Sequence, residues 1–290
     1  MKRKKSLTIQ KRKTREAFMF LAPWLIGTCL FFILAVFSSI KLSFSEIAQI
    51  KGFAMKWVGL ENYKHIFIWD INFVPILLTV VKDTLLNTPI TLVFSLVIAI
   101  LINRPVFGRG FFRTAFFIPV LLGSGYIMKQ LLGISVTGGV GVGIVIPGGV
   151  ESMLGPVISS VVQSFLDRIT IVLWKSGVQI ILFLAGLQGI STSYYEAARC
   201  DGATEWEMFW KITLPMISPV ILLNFIYTMV SYFSSSDNAL VEYILNQVFK
   251  NTQFGTGAAM GWVYFLFTFL LCAVVFVIMQ RRVVNVGERE

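Results

Sequence analysis

The chain has 290 residues, of which 56% are hydrophobic and 14% charged, with a formal net charge of +10. A soluble domain usually carries about 25% charged residues, so this composition and a mean hydropathy of +0.77 predict an integral membrane protein. The three cysteines, Cys29, Cys200 and Cys272, have no paired or metal-ligand spacing, and His65 is the single histidine. The composition therefore predicts neither a disulfide framework nor a metal site.

Residues 1–16 form a basic segment with eight Lys/Arg. Such a run can bind nucleic acid, but this one directly precedes an apolar run, which favours a cytoplasmic anchor on anionic lipid and no nucleic acid. The apolar run 17–40 is longer than the roughly 7–15 residues of a signal-peptide core, and it lacks a small-residue cleavage site. It is therefore predicted to be an uncleaved first span.

Further apolar runs predict an all-α membrane protein with six transmembrane helices inside one domain, 17–282, followed by a cytoplasmic tail, 283–290. The spans are predicted at 17–40, 84–102, 114–132, 169–190, 216–235 and 257–280. The intervening segments 41–78, 133–168 and 236–254 are predicted to be external loops, the first with some interfacial helix. The second is rich in glycine and is predicted to carry a short amphipathic helix after Pro156.

The distribution of positive charge orients this topology. Six spans place both termini on one side, where 16 Lys/Arg lie, whereas the loops of the opposite side hold 6. The positive-inside rule then places both termini, and the loop between the fourth and fifth spans, in the cytoplasm.

That loop, residues 193–215, is the best-punctuated amphipathic stretch of the chain. Sequences typical of a capping box at 193–196 and 204–207 predict two short helices, the first starting near Tyr194. Gly202 is predicted to end the first helix in a left-handed conformation. Pro215 disfavours helix at the residue before it and can open a new helix.

The residues that carry a family resemblance are Glu196, Ala197, Ala198, Gly202, Ile212, Leu214 and Pro215. Together they resemble the EAA loop of the membrane-spanning subunits of binding-protein-dependent ABC importers. The wider run 184–215, and the stretch 57–63 with its W-x-G-x-x-N-Y pattern, are similar to the carbohydrate branch, the maltose and glycerol-phosphate type permeases. The resemblance covers nearly the whole chain and is weakest between Gly133 and Arg168.

The resemblance implies a permease subunit of a bacterial plasma-membrane importer that moves a sugar, specifically an oligosaccharide, by alternating access. Its implied partners are a second related permease, two ATP-binding subunits and an extracytoplasmic binding protein. ATP and Mg bind the partner ATPase, and this chain binds no cofactor. The residues agree, since they contain no Walker loop, zinc spacing or Ser-His-Asp set, and so no catalytic residue is predicted.

Two alternatives remain open at this point. The first is the same architecture with another cargo, such as glycerol phosphate or a polyamine. The second is a secondary carrier or channel that works alone, which predicts inverted repeats and intramembrane coupling charges. No clear repeat is present, and Lys175 is the one mid-span charge.

Two groups of site residues are predicted. The resemblance assigns contact with the ATPase to Glu196, Ala197, Ala198, Asp201, Gly202, Ala203, Leu214 and Pro215. Polar residues inside spans are costly in lipid, which suggests a substrate pathway lined by Asn87, Gln179, Asn224, Tyr227, Ser231 and Tyr232. The same residue types also serve helix packing. The loop aromatics Trp206, Phe209 and Trp210 are typical of a protein interface, or of a helix lying on lipid.

Overall fold

The computed structural model describes residues 3–49, 54–103, 110, 148–235 and 238–281, and most of them are helical. The helices are α1 (Arg3–Gly27), α2 (Leu34–Ser43), α3 (Glu61–Lys64), α4 (Phe73–Asn103), α5 (Gly148–Lys175), α6 (Gly177–Gln188), α7 (Thr192–Cys200), α8 (Glu205–Met208), α9 (Leu214–Met216), α10 (Ser218–Phe233), α11 (Ala239–Phe249) and α12 (Phe254–Gln280). Segments Thr28–Ile33, His65–Trp69 and Phe209–Thr213 are π-helical and continue the helix before them. An antiparallel hairpin pairs β1 (Ser45–Gln49) with β2 (Ala54–Trp57).

Several of the described helices are membrane-spanning in length and composition. Four helical segments qualify, namely Glu16–Ser43, Phe73–Asn103, Gly155–Lys175 and Phe254–Gln280. Two pairs qualify together although each is bent: α6 with α7 by 62°, and the helix Glu205–Met216 with α10 by 66°. The predicted class, a helical membrane protein, is confirmed. The count of six stays a prediction, because the predicted third span, 114–132, lies outside the described residues.

Two predicted spans differ in extent from the helices that contain them. The second, predicted at 84–102, belongs to a helix that begins at Phe73. The charges before Thr84 do not end it, since the Asp83 carboxylate lies 3.5 Å from the Arg168 guanidinium. The fourth, predicted at 169–190, is divided at Ser176 between α5 and α6. The Ser176 hydroxyl donates to the Leu173 carbonyl at 3.0 Å, which occupies a carbonyl of the last turn of α5.

The segments predicted to be external loops contain more regular structure than expected. Segment 41–78 holds the β-hairpin, α3 and the start of α4, and segment 236–254 contains α11. Helix α11 starts there because the Asn238 side chain accepts from the Leu240 amide at 2.9 Å, as an N-cap does. Helix α5 begins at Gly148, whereas the sequence predicts a short helix that begins only after Pro156. The helix is kinked at Gly155, whose φ is +75°. The rest of the glycine-rich segment, 133–147, lies outside the described residues.

The chain divides into two compact units, and the first comprises residues 1–71 and 244–264. Its W-x-G-x-x-N-Y stretch closes the end of α2. The Trp57 ring stacks on Phe44 at 5.5 Å, and the Asn62 amide donates to the carbonyls of Ser43 and Ser45 at 2.9 and 3.0 Å. Gly59 makes the turn between them with φ +63°. The pattern is therefore explained by packing in this unit.

The second unit comprises residues 72–243 and 265–290. Its core lies where α4, α6 and α10 meet, with Phe183 and Ile217 almost fully buried. Gly186 lets α10 come close to α6, because a Cβ at Gly186 would lie 2.9 Å from Val220 Cγ2. This contact holds together the two helices that lead into and out of the 193–215 loop.

Candidate functional site

The first helix of the 193–215 loop begins two residues earlier than predicted. Helix α7 starts at Thr192, and its N-cap is Ser191, whose Oγ accepts from the Ser193 amide at 3.4 Å. The predicted capping box at 193–196 is wrong. Ser191 has the extended backbone that an N-cap needs, whereas Ser193 already lies inside the helix.

The predicted glycine stop is confirmed. Helix α7 ends at Cys200, and Gly202 has φ +81°. The Ala203 amide donates to the Ala198 carbonyl at 2.9 Å, and the Gly202 amide donates to the Arg199 carbonyl at 3.0 Å. These two bonds form a Schellman motif, which needs a left-handed residue where the chain reverses. Helix α7, Gly202 and α8 therefore make an elbow.

The second capping box, at 204–207, is also confirmed. The Glu207 amide donates to Thr204 Oγ1 at 3.3 Å, and the Thr204 amide donates to Glu207 Oε2 at 3.0 Å. The hydrogen bond from the Thr204 backbone lowers the Glu207 pKa, with further lowering by the Thr204 hydroxyl and by Lys211. Because its folded pKa is lowered, the carboxylate stabilises this helix start at neutral pH. The contribution is lost as the pH falls through the lowered value.

The prediction that helix is disfavoured before Pro215 is wrong. Leu214 has helical dihedrals, φ −64° and ψ −44°, and helix continues from Glu205 to Met216. Pro215 lies where the π-helical segment Phe209–Thr213 passes into α9. There the Leu214 amide bonds to the Phe209 carbonyl five residues back, so the helix is wider at this turn than an α-helix. The bend comes after this point, at Ile217.

The eight predicted coupling residues all lie on this elbow or at the base of α10. Glu196, Ala197, Asp201 and Gly202 are exposed, whereas Ala198, Ala203, Leu214 and Pro215 are partly buried. The Tyr195 hydroxyl lies 2.9 Å from Thr213 Oγ1, which ties α7 to the segment leading into α10. Trp206 and Trp210 are 69% and 50% exposed, and their rings pack edge to face at 5.6 Å. The elbow thus has a tied inner side and an open outer side.

Above the elbow, α6 and α10 are joined by buried amide and hydroxyl groups. The Asn224 side chain donates to the Gln179 carbonyl at 3.0 Å, and the Gln179 side chain donates to Thr228 Oγ1 at 3.2 Å. Gln179 Oε1 and Asn224 Oδ1 are buried without a partner among the described residues. Two of the predicted pathway residues are therefore helix-joining groups in this chain, with acceptor capacity to spare.

A second polar cluster joins α4, α5 and α10. Thr91 Oγ1 lies 2.8 Å from the Tyr232 hydroxyl, and Lys175 Nζ lies 4.7 Å from the centre of the Tyr232 ring. The Arg168 guanidinium donates to Asn87 Oδ1 at 3.1 Å. Beside this cluster is a cavity of about 210 Å³, lined by Asn87 and Tyr232 among others.

The structure brings together only part of the predicted pathway set. Asn87 and Tyr232 share the cavity, and Gln179 and Asn224 meet each other. Tyr227 is 41% exposed and belongs to neither cluster. Ser231 is partly buried. Sequence reasoning missed Asp83 and Arg168. No local pattern pairs two charges so far apart along the chain, and Arg168 stood in a predicted external loop.

Residues 72–284 match the family described as binding-protein-dependent transport system inner membrane component. The chain belongs to this family. A probable ABC transporter permease protein of Bacillus subtilis, YesP, is 28% identical, and the alignment covers 94% of this chain and 93% of YesP. The multiple sugar-binding transport system permease protein MsmF of Streptococcus mutans is 29% identical over 85% of this chain and 89% of its own.

This permease also has the fold of a solved ABC transporter chain. A bacterial transporter involved in the import of the acidic polysaccharide alginate matches with a TM-score of 0.66 and 20% identity, over 95% of this permease and 99% of that chain. The permease is thus an integral inner-membrane transport component, a non-catalytic part of an ABC transporter.

Proposed function

We propose that this permease forms half of the translocation pathway of an ATP-driven importer for an oligosaccharide. The supporting observation is the joined geometry of the elbow and the helices on either side of it. Tyr195 is tied to Thr213, and α6 is tied to α10 through Asn224 and Gln179. A force on the elbow therefore reaches two membrane helices at once.

The coupling role belongs to the outer side of the elbow. Glu196, Ala197 and Gly202 are all exposed. Ala197 and Gly202 are small, which lets another protein surface approach closely, and Glu196 adds a charge. An ATP-binding subunit is the proposed occupant, with two such subunits in the transporter. ATP and Mg bind there, and this permease binds neither. The elbow lies in the cytoplasm together with both termini, because the positive charge of the chain is concentrated on that side.

Alternating access follows from these partners. ATP binding brings the two ATPase subunits together, and the docked elbows of this permease and of a second, related permease follow them. The tied helices α6 and α10 then move as one body, and the cavity between the permeases opens outward to an extracytoplasmic binding protein. Hydrolysis returns it inward.

The cargo class rests on the relatives. AraP of Bacillus subtilis is named for arabinooligosaccharides and is 27% identical over 86% of this chain. MsmF is named for multiple sugars, and LacF of Rhizobium radiobacter for lactose. Glycerol phosphate is the second candidate, because UgpA of Agrobacterium fabrum is named for it and is 25% identical over 92% of this chain.

Reconstitution tests the function. The permease is co-purified with its companion permease and ATPase in mild detergent, placed in proteoliposomes, and supplied with the binding protein and arabinotriose, lactose, maltotriose or sn-glycerol-3-phosphate. We expect ATP-dependent accumulation of one of the saccharides. Uptake by this chain alone, without a nucleotide-hydrolysing subunit, would contradict the proposal, and accumulation of glycerol phosphate alone would contradict the saccharide cargo.

Tyr227 gives a sharper test of the pathway. Its exposed ring on α10 is free to face the cavity between two permeases, where aromatic faces suit sugar rings. We expect Tyr227→Ala to raise the half-saturation concentration for uptake about tenfold, the size expected when a good contact is lost, with unchanged amounts of assembled transporter. Leu223→Ala, at an exposed apolar position one turn earlier on α10, is the matched control. Equal uptake by both variants would reassign Tyr227 to packing.

A further inference from the structure

The first unit contains a cleft of about 760 Å³ that none of the roles above uses. One wall is the first half of β1 and the segment from Val58 to Trp69, and the other is the turn between α11 and α12. Its volume falls in the range of about 300–1,000 Å³ that small-molecule sites occupy. All of its lining residues belong to the same compact unit.

The cleft has a rigid floor. The Asn62 side chain makes three hydrogen bonds to the surrounding chain. Its amide donates to the Ser43 and Ser45 carbonyls, and its Oδ1 accepts from Thr256 Oγ1 at 3.5 Å. Gly255 is buried directly against the Ser45 carbonyl, where a Cβ has no room. The two walls are therefore locked to each other before any ligand arrives, which lowers the cost of binding.

The rim of the cleft carries backbone strain. Thr252 has φ +57°, the one positive φ of a non-glycine residue among the described residues. A β-branched residue is a genuine outlier there, whereas glycine adopts this conformation without steric cost. Residues with such strained backbone cluster at active sites and ligand sites. Thr252 lines the cleft, and its hydroxyl donates to the Asn251 carbonyl at 2.7 Å, so its oxygen can still accept a hydrogen bond from a ligand hydroxyl.

The other lining groups have the chemistry of a saccharide site. The carboxylates of Glu46 and Glu61 can accept hydrogen bonds from sugar hydroxyls, and the amides of Asn251 and Gln253 can both accept and donate them. The Asn251 amide already donates to Gln247 Oε1 at 2.7 Å. Trp69 is 74% exposed at the edge and offers a flat apolar face with a polar N–H. An apolar protein anchor fits less well, because most of the lining is polar. The mixed charges of Glu46, Glu61 and Lys64 favour neither an anion nor a metal ion.

We propose that this cleft is an extracytoplasmic saccharide-binding site, additional to the pathway through the membrane spans. It rests on the orientation proposed above, in which the loops after the first span and before the last face outward. The ligand is one or two sugar units of an oligosaccharide, with Trp69 under a ring face and Thr252, Glu61 and Asn251 on its hydroxyls.

The test uses the complete transporter in lipid nanodiscs without its binding protein. Saturation-transfer NMR and calorimetry are run with maltotriose, arabinotriose, lactose and an alginate trisaccharide as probes. We expect at least one probe to bind the wild type, and Trp69→Ala and Thr252→Gly to weaken that binding about tenfold. Thr252→Gly relieves backbone strain, and a thermal unfolding midpoint equal to that of the wild type serves as the check that it folds. Phe67→Ala, an exposed aromatic on the same π-helical segment outside the lining, should bind as the wild type does.

Three outcomes overturn the proposal: no probe binds, all four proteins bind equally, or Trp69→Ala weakens binding-protein docking while saccharide binding is unchanged. The last result would make the cleft a protein-docking site. The importer function is judged separately. ATP hydrolysis by Trp69→Ala, with saturating binding protein and cargo, should stay at the wild-type level. A transporter without ATP-dependent uptake would fail as an importer whether or not the cleft binds saccharide.

Discussion

Replacing Gly202 with valine is expected to reduce substrate-stimulated ATP hydrolysis by the reconstituted transporter to its unstimulated rate. Gly202 has φ +81°, where a β-branched residue is strongly disfavoured. Apart from its two chain neighbours, no atom of the described residues lies within 4 Å of the position that a Cβ would take. The substitution therefore leaves the packing of the permease intact and changes the direction of the elbow and the room in front of it.

Gly202→Asn is the matched variant. Asparagine enters the left-handed region at smaller cost than valine, so it should keep about half of the stimulation if backbone direction is the main requirement. Membrane insertion and co-purification of the companion permease serve as controls and should be unchanged in both variants. Full stimulation in Gly202→Val, with normal insertion, would remove the elbow from the coupling route.

The second large effect is expected in the first unit. Gly255→Ala should lower the midpoint of thermal unfolding by about 5 °C, because overpacking typically costs about 1–3 kcal/mol and here the obstacle is backbone. A Cβ at Gly255 would overlap the Ser45 carbonyl oxygen and reach within 3.0 Å of Asn62 Nδ2. That carbonyl already accepts from Asn62, so neither group is able to give way without breaking the hydrogen bond.

Gly261→Ala provides the control within the same helix. Beyond the nearby backbone of its own helix, no atom in the described part of the chain lies within 4 Å of a Cβ at Gly261, and alanine favours helix over glycine by up to about 1 kcal/mol. Gly261→Ala should therefore unfold at the wild-type temperature or slightly above it. The measurement is intrinsic fluorescence of the purified transporter on heating. Equal midpoints for the two variants would mean that the Gly255 contact contributes little to this unit.

The second unit suggests how a small movement at the elbow reaches the membrane. Gly186, on the helix before the loop, lies against Val220, on the helix after it. Further along the same two helices, the Asn224 side chain donates to the Gln179 backbone carbonyl. In the proposed mechanism we expect close packing and buried hydrogen bonds to make α6 and α10 move together. These helices meet the elbow segments at bends of 62° and 66°.

Local signals in the sequence were enough for the elbow. The capping box at 204–207 and the stop at Gly202 each depend on groups within a few residues of one another, and both are present. Composition determined the membrane class, because so much apolar surface cannot be buried in a chain of this length. Local rules also failed where two candidates competed: Ser191 rather than Ser193 caps α7, and Pro215 is accommodated by a π-helical turn.

Only the tertiary structure decided the contacts between distant residues. Asp83, Arg168 and Asn87 form one cluster, and Thr91 meets Tyr232, although no spacing in the sequence relates them. The sequence likewise did not predict that the fourth span is divided at Ser176, or that helix α11 forms. In a chain that is apolar almost throughout, hydrophobicity marks which segments enter lipid. It carries little information about which faces meet, because lipid and protein interior favour the same side chains.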